Sequence, residues 1–298
     1  MHINYIYILL AILLSLLTTL PLAWKWQLGV LRVAWVVLAL ATVSSVIVAL
    51  SGTRIAIGAG LQSVLIWLIT TVTAFSILAY RFYRDPERTP PTSKDAVVSP
   101  ADGVVVYVRR SRGGILPVST KQGHHYQLVE LTKTPLNSEE AIVIGIGMSF
   151  TDVHVNRAPI NGMVTLQRHF PGRFGSLGRP EMVFENERAT TVIEREGLQV
   201  AVVQIASRLV RKIFAYVSRG QYVSLGQRIG VILLGSQVDL VLADRGNLRI
   251  TVQEGQRVRA GESVVAIIGQ ADSKVETLPD SDTGLSKCSG CQGTGSRS

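Results

Sequence analysis

The first 80 residues contain no aspartate or glutamate; all 21 acidic residues of the chain lie beyond them. Basic residues are almost as scarce in that stretch, where only Lys25, Arg32 and Arg54 of the chain's 30 are found. Cysteine is rarer still. Cys288 and Cys291 are the only two in 298 residues, which excludes a disulfide scaffold. Charged residues make up 17% of the chain, against about 25% in an ordinary soluble domain. That low figure averages two unlike parts, an acid-free N-terminal region and a mixed-charge remainder long enough to bury its own core. With 47% hydrophobic residues, intrinsic disorder and collagen-like repeats are excluded as well.

Residues 3–23 form an uncharged apolar run. At 1.5 Å per residue it is roughly 31 Å long as a helix, enough to cross a hydrocarbon core of about 30 Å. Runs at 33–50 and 55–80 follow, so residues 1–80 read as a transmembrane region with three spans as the simplest count. A cleaved signal peptide fits poorly, because no basic segment precedes the first run and further spans come after it. Lys25 and Arg32 lie between spans one and two, and Arg81, Arg84 and Arg88 follow span three. The excess of Lys and Arg marks the cytoplasmic side, which makes this a multi-pass protein of the cell membrane with its C-terminal domain facing the cytoplasm. Trp24 and Trp26 flank span one as interfacial anchors. The net charge of +9 suits anionic headgroups. No basic run with interleaved aromatics is present, so nucleic acid is not the expected partner.

Residues 81–95 read as a Pro-rich polar linker that ends the third helix. From Ala96 to about residue 275 the chain breaks into short Val- and Ile-rich segments bounded by Gly, Pro, Asp or Asn. The expected class is transmembrane helices followed by a β-rich, mainly antiparallel domain. Long amphipathic helices are scarce, and RLVRKIFAYV at 208–217 is the best short candidate. Two segments share the pattern G-Q-x-V-x-x-G-[QE]: Gly220 to Gln227 and, 35 residues later, Gly255 to Glu262. They resemble the hairpins of lipoyl and biotinyl carrier domains, a barrel-sandwich architecture. No lysine lies between Lys212 and Lys274, so the carrier function itself is not available. Residues 276–298 form a Gly/Ser-rich flexible tail.

Most catalytic templates are missing: there is no G-x-S-x-G elbow, no phosphate-binding P-loop, no dinucleotide fingerprint and no H-E-x-x-H. The Cys288 and Cys291 pair lacks the further ligands a structural zinc needs, so no metal site is expected. What remains is Leu234-Gly235-Ser236-Gln237-Val238-Asp239, a Gly-Ser step between two apolar stretches. Taken alone it reads as a β-bulge. Together with SPADG at 99–103, DVHVNRAP at 152–159, NER at 186–188 and RFYRDPER at 81–88, it resembles the phosphatidylserine decarboxylase family, with the motifs in family order over roughly residues 80–270.

That resemblance implies a proenzyme that cuts itself between Gly235 and Ser236, leaving Ser236 as a pyruvoyl cofactor on the smaller of two chains that stay together as a heterodimer. The pyruvoyl group would form a Schiff base with phosphatidylserine and release CO2 to give phosphatidylethanolamine. His154 and Asp102 match the family positions for a base and its orienting carboxylate. Many members carry a second His where this chain has Arg157, so His154 serves either processing or decarboxylation. Arg157 and Arg188 are candidates to hold the lipid phosphate or carboxylate. Two alternatives stand beside this reading: a related serine lipid such as archaetidylserine as substrate, and a non-enzymatic membrane-anchored adaptor using the hairpins.

Overall fold

The computed structural model describes residues 5–26, 28–52, 58–117, 126–177, 179, 181–207, 212–233, 237–244 and 246–269. Gly235, Ser236, His124, His125 and the tail with Cys288 and Cys291 lie outside the described residues. Three apolar helices come first: α1 (Tyr5–Lys25), α2 (Val30–Gly52) and α3 (Ala59–Tyr83), each long and apolar enough to cross a membrane. Their outer faces expose large apolar side chains such as Leu9, Leu13, Leu17, Leu31 and Leu50. Several of their hydroxyls turn inward. Thr70 Oγ1 donates to Ser44 Oγ at 3.1 Å, Ser63 Oγ to the Tyr7 carbonyl at 3.1 Å, and Ser15 Oγ to the Ala11 carbonyl at 2.8 Å. Lipid supplies no hydrogen bonds, so polar groups in such a bundle face one another. Helix α3 runs three residues past the expected end of its span and carries Phe82 into the soluble domain.

The remainder is almost wholly strand. In chain order the elements are β1 (Ala96–Val98), β2 (Gly103–Ser111), β3 (Ile115–Leu116), β4 (Tyr126–Gln127), α4 (Leu128–Thr132), β5 (Ala141–Gly147), β6 (Val155–Arg157), β7 (Gly162–Phe170), α5 (Met182–Glu185), β8 (Arg188–Arg195), β9 (Leu198–Ile205), β10 (Ile213–Ala215), β11 (Tyr222–Val223), β12 (Arg228–Ile232), β13 (Gln237–Ala243), β14 (Leu248–Ile250), β15 (Arg257–Val258) and β16 (Val264–Ile268). An eight-stranded sheet in the order β11-β7-β8-β9-β13-β5-β2-β15 curls into a half-barrel, and its strand pairs are all antiparallel. Two three-stranded sheets, β1-β16-β14 and β10-β12-β6, complete the main core. A second apolar cluster, including Leu128, Leu131, Val183 and Phe184, covers the other face of the large sheet beneath α4 and α5.

The sheet orders expose a duplication. Read from either end, the large sheet matches β11 with β15, β7 with β2, β8 with β5 and β9 with β13; the small sheets match β6 with β1, β12 with β16 and β10 with β14. Contacts repeat with it. The Gly226 amide donates to the Ala158 carbonyl as that of Gly261 does to Ser99, at 2.9 and 2.8 Å, and Val223 pairs with Gly162 as Val258 does with Gly103. Ser99-Pro-Ala-Asp102-Gly is thereby the counterpart of Ala158-Pro-Ile-Asn161-Gly. One copy, β6 to β12, is continuous in sequence and is inserted into the other between β5 and β13. The chain enters it through residues 148–154 and leaves through 233–236.

One expectation needs correcting. The segment offered as a helix at 208–217 is, over Ile213–Ala215, an edge strand paired antiparallel with β12. Ile213 is buried while Phe214 and Ala215 are exposed, and it is the pairing with β12 that makes the segment a strand.

Candidate active site

The strand ends next to the two crossings, of β12 and β6, lie side by side. Val231 of β12 pairs with Val155 of β6, and the Ile232 amide donates to the His154 carbonyl at 3.2 Å. Past Ile232 comes the crossing with the Gly-Ser step, and beyond it β13 is gripped on both flanks, Gln237 standing opposite Gly147 of β5 and Ile205 of β9.

His154 is 2% exposed. Its ring packs on Phe82 at 4.4 Å between centroids; Phe82 packs on Phe150 at 5.2 Å, and Phe150 stacks on Trp26 at 5.1 Å. The membrane ends of α1 and α3 thus reach the histidine through a chain of aromatic rings. Burial pushes the imidazole down to about 4, against the Asp152 backbone hydrogen bond and carboxylate, which favour the charged form. At neutral pH the ring is uncharged and able to accept a proton.

Asp102 sits in the tight turn between β1 and β2, where Ser99 Oγ bonds the Ala101 carbonyl at 2.7 Å. Its Oδ1 accepts from the Ala260 amide at 2.7 Å, and Arg88 Nη2 reaches Oδ2 at 2.9 Å and Oδ1 at 3.2 Å. The Asp102 and His154 motifs are joined through the main chain: the Arg157 amide donates to the Pro100 carbonyl and that of Val98 to Pro159, both at 2.9 Å.

The two guanidiniums expected to hold the lipid anion are both bonded to protein. Arg157, 4% exposed, donates to Asp85 Oδ1 at 3.0 Å, the Pro86 carbonyl at 2.9 Å and the Gly226 carbonyl at 3.0 Å. Arg188, 1% exposed, bonds the carbonyls of Leu131 at 2.8 Å, Glu130 at 3.3 Å and Asn186 at 3.0 and 3.1 Å. Burial lowers its pKa to about 10, which leaves it charged. To bind a ligand directly, either would first have to release these partners.

Sequence reasoning passed over one further group. Asp239, fully buried, accepts from Tyr107 Oη at 2.7 Å and from Gln237 Nε2 at 2.7 Å, while Gln237 Nε2 also lies 2.9 Å from Tyr107 Oη. Tyr107 reaches β13 by crossing β5 above Gly145, where a β-carbon would stand 2.5 Å from the ring. Burial raises the Asp239 carboxyl to about 6, against those two hydrogen bonds and the charge of Arg188. The triad pins the first residues of β13, directly after Ser236. Its only trace in the sequence was the aspartate of the Gly-Ser motif. Among the described residues no group of three His, Cys, Asp or Glu is arranged to hold a metal.

The sequence pattern shared by phosphatidylserine decarboxylases matches residues 75–266, which takes in the end of α3, both copies and both crossings. The chain belongs to the phosphatidylserine decarboxylase family. Among its relatives, a protein of Methanothermobacter thermautotrophicus provisionally named an archaetidylserine decarboxylase proenzyme is 40% identical over 70% of this chain and 87% of its own length. A phosphatidylserine decarboxylase proenzyme of Pelobacter propionicus is 37% identical over 68% of this chain and 80% of its own. One of Cupriavidus metallidurans is 33% identical over 79% and 93%.

Proposed function

We propose that the chain is the precursor of a phosphatidylserine decarboxylase that cuts itself between Gly235 and Ser236. The observation that carries this reading is the crossing itself. It joins the end of β12, which is bonded to the His154 carbonyl, to the start of β13, which is anchored by its two neighbours and by the Tyr107–Asp239 pair. A bond there can break with both flanking strands left in place.

In this reading neutral His154 takes the Ser236 hydroxyl proton while the oxygen attacks the Gly235 carbonyl; the peptide C–N bond breaks as the C–O ester forms, and the proton passes to the freed nitrogen. Asp102 supports the base through the main-chain link from its turn, where the Pro100 carbonyl accepts from the Arg157 amide of the strand after His154. Loss of the Ser236 α-proton expels the Gly235 carboxylate and leaves dehydroalanine, which water converts to a ketone with release of ammonia. The pyruvoyl group so formed supplies an electron sink for loss of CO2 from an amino acid. The described residues fit such a group: Phe82 covers the buried His154 and packs on Phe150, and Gln237 and Asp239 hold the strand that would bear it. We place Arg157 and Arg188 in the anion-holding role through the segments they anchor. The domain faces the cytoplasm, and its lipid comes from the bilayer in which α1 and α3 end. The two chains stay paired as a heterodimer.

A second substrate has specific support, since the relative at 40% identity carries the archaetidylserine name. Electrophoresis of the purified protein tests the scission: two fragments are expected, and Ser236→Ala is expected to give one band near 32.4 kDa. An intact unsubstituted chain without CO2 release from serine-labelled lipid would make it a membrane-anchored adaptor instead. Parallel assays with diacyl and ether-linked serine lipids decide the substrate.

A further inference from the structure

The segment after α3 is held against the domain. Residues 84–90 lie as a strap across the domain, and the surface beneath them is built from the two matching turns of the G-Q-x-V-x-x-G repeat. Gly226 and Gly261 occupy equivalent places in those turns, with φ of +74° and +75°. A β-carbon on Gly226 would meet Pro90 at 2.5 Å, and one on Gly261 would meet the Arg157 side chain at 2.9 Å and Arg88 at 3.7 Å. The repeat that resembles a carrier hairpin therefore serves here as a bed for the strap.

Charge holds the strap at two points. Asp85 pairs with Arg157 at 3.0 Å and with Arg228, and Glu87 takes the second arm of Arg228 at 2.7 Å. Arg88 points the other way, with Nη2 on Asp102 and Nη1 on Glu262 Oε2 at 3.1 Å; its side chain is 9% exposed. Ion pairs shielded from solvent hold geometry better than exposed ones. One guanidinium here spans two carboxylates, which a lysine ammonium cannot do with the same fixed fork. The duplication gives a contrast: the counterpart of Asp102 is the neutral Asn161, whose Oδ1 accepts from Arg195 at 2.8 Å and not from the strap.

We propose that Arg88 is a positioning residue for self-cleavage, holding the Asp102 carboxylate in its working orientation from a strap continuous with membrane helix α3. The proposal rests on the role given to Asp102 above. It is tested by following cleavage of full-length precursor, synthesised without cells into phospholipid nanodiscs, for Arg88→Met, Arg88→Lys, Asp102→Asn and the Arg88→Met/Asp102→Asn double variant. Arg88→Met is expected to slow cleavage about tenfold or more, Arg88→Lys to recover part of that rate, and the double variant to be no slower than Asp102→Asn alone. Glu262→Gln, which leaves the Asp102 contact in place, is expected to cleave within about twofold of the unsubstituted chain. Folding is checked by thermal melting in a Ser236→Ala background; should the methionine variant fail there, Arg88→Gln takes its place under the same criteria. Cleavage at the unsubstituted rate in the Arg88 variant, or additive slowing in the double variant, overturns the proposal while leaving the role of Asp102 standing. Unimpaired cleavage in Asp102→Asn overturns that role and the proposal with it.

Discussion

Burial acts on two groups of the candidate site, His154 and Asp239, with opposite consequences for stability. His154 has its pKa lowered from 6.5 to about 4, so the native state binds fewer protons than the unfolded chain between those values. Its contribution is full above pH 6.5 and is lost as pH falls through about 4. Asp239 is raised from 3.8 to about 6, so its native state binds more protons across that window, and stability is lost as pH rises through about 6. Each effect is on the order of 3 kcal/mol at about 1.4 kcal/mol per pH unit. They offset one another in the intact protein. Asp239→Asn is expected to steepen the loss of stability on acidification below pH 6, and His154→Gln to reveal a loss on alkalinisation between pH 4 and 6; denaturant melts across that range in the Ser236→Ala background would check both. If His154 is the base, cleavage stays near its full rate down to about pH 5 and has no inflection at 6.5; rapid-mixing pH profiles would reveal it. Gly145→Ala tests the Tyr107 crossing. Its β-carbon would fall 2.5 Å from the ring, an overpacking expected to cost about 1–3 kcal/mol in thermal or denaturant melts.

Among the elements, the repeated turns are where a small change should travel furthest. Gly226→Ala combines an unfavourable positive φ with the contact at Pro90, so the strap is expected to lift; limited proteolysis within 84–94 should become faster while β11 stays paired with β7 and β12 with β6. The elements also differ in how far the sequence foretold them. The spans were legible because lipid demands an unbroken apolar run, and the long strands β5, β8 and β9 because apolar β-branched residues fill them. Strand β10 was not legible. It is three residues long and takes its conformation from pairing with β12, which no local pattern announces. Helices α4 and α5 were missed for the same reason: each is only a turn or so, held by the sheet face it covers. Of the candidate site, the motif residues Asp102 and His154 could be named from the sequence as proposals. Their attachment to Arg88 and Phe82 could not, because those contacts fold the end of α3 and the segment after it onto the domain, which composition had made look like separate pieces.

At the scale of the whole molecule, residues 237–269 are bound to the rest by strand pairing on every side. Strand β13 pairs with β5 and β9, β15 with β2, and β16 with β1. After cleavage the two chains are expected to co-elute in detergent on size exclusion and to separate only in denaturant, and elution of the small chain alone would contradict the topology. The aromatic stack from Trp26 to His154 makes a second expectation. Removal of α1 and α2 should impair activity toward lipid in mixed micelles even where the remaining chain still folds.

The nesting of one copy within the other bears on how such a precursor can mature at all. Residues 1–235 keep one complete copy and three strands of its twin, and residues 236–298 carry the four strands that finish that twin. Cutting at the crossing therefore changes the covalent connectivity without removing a strand from any sheet. In the proposed cleavage the new chain end would arise between strands already assembled, so maturation would require no refolding step.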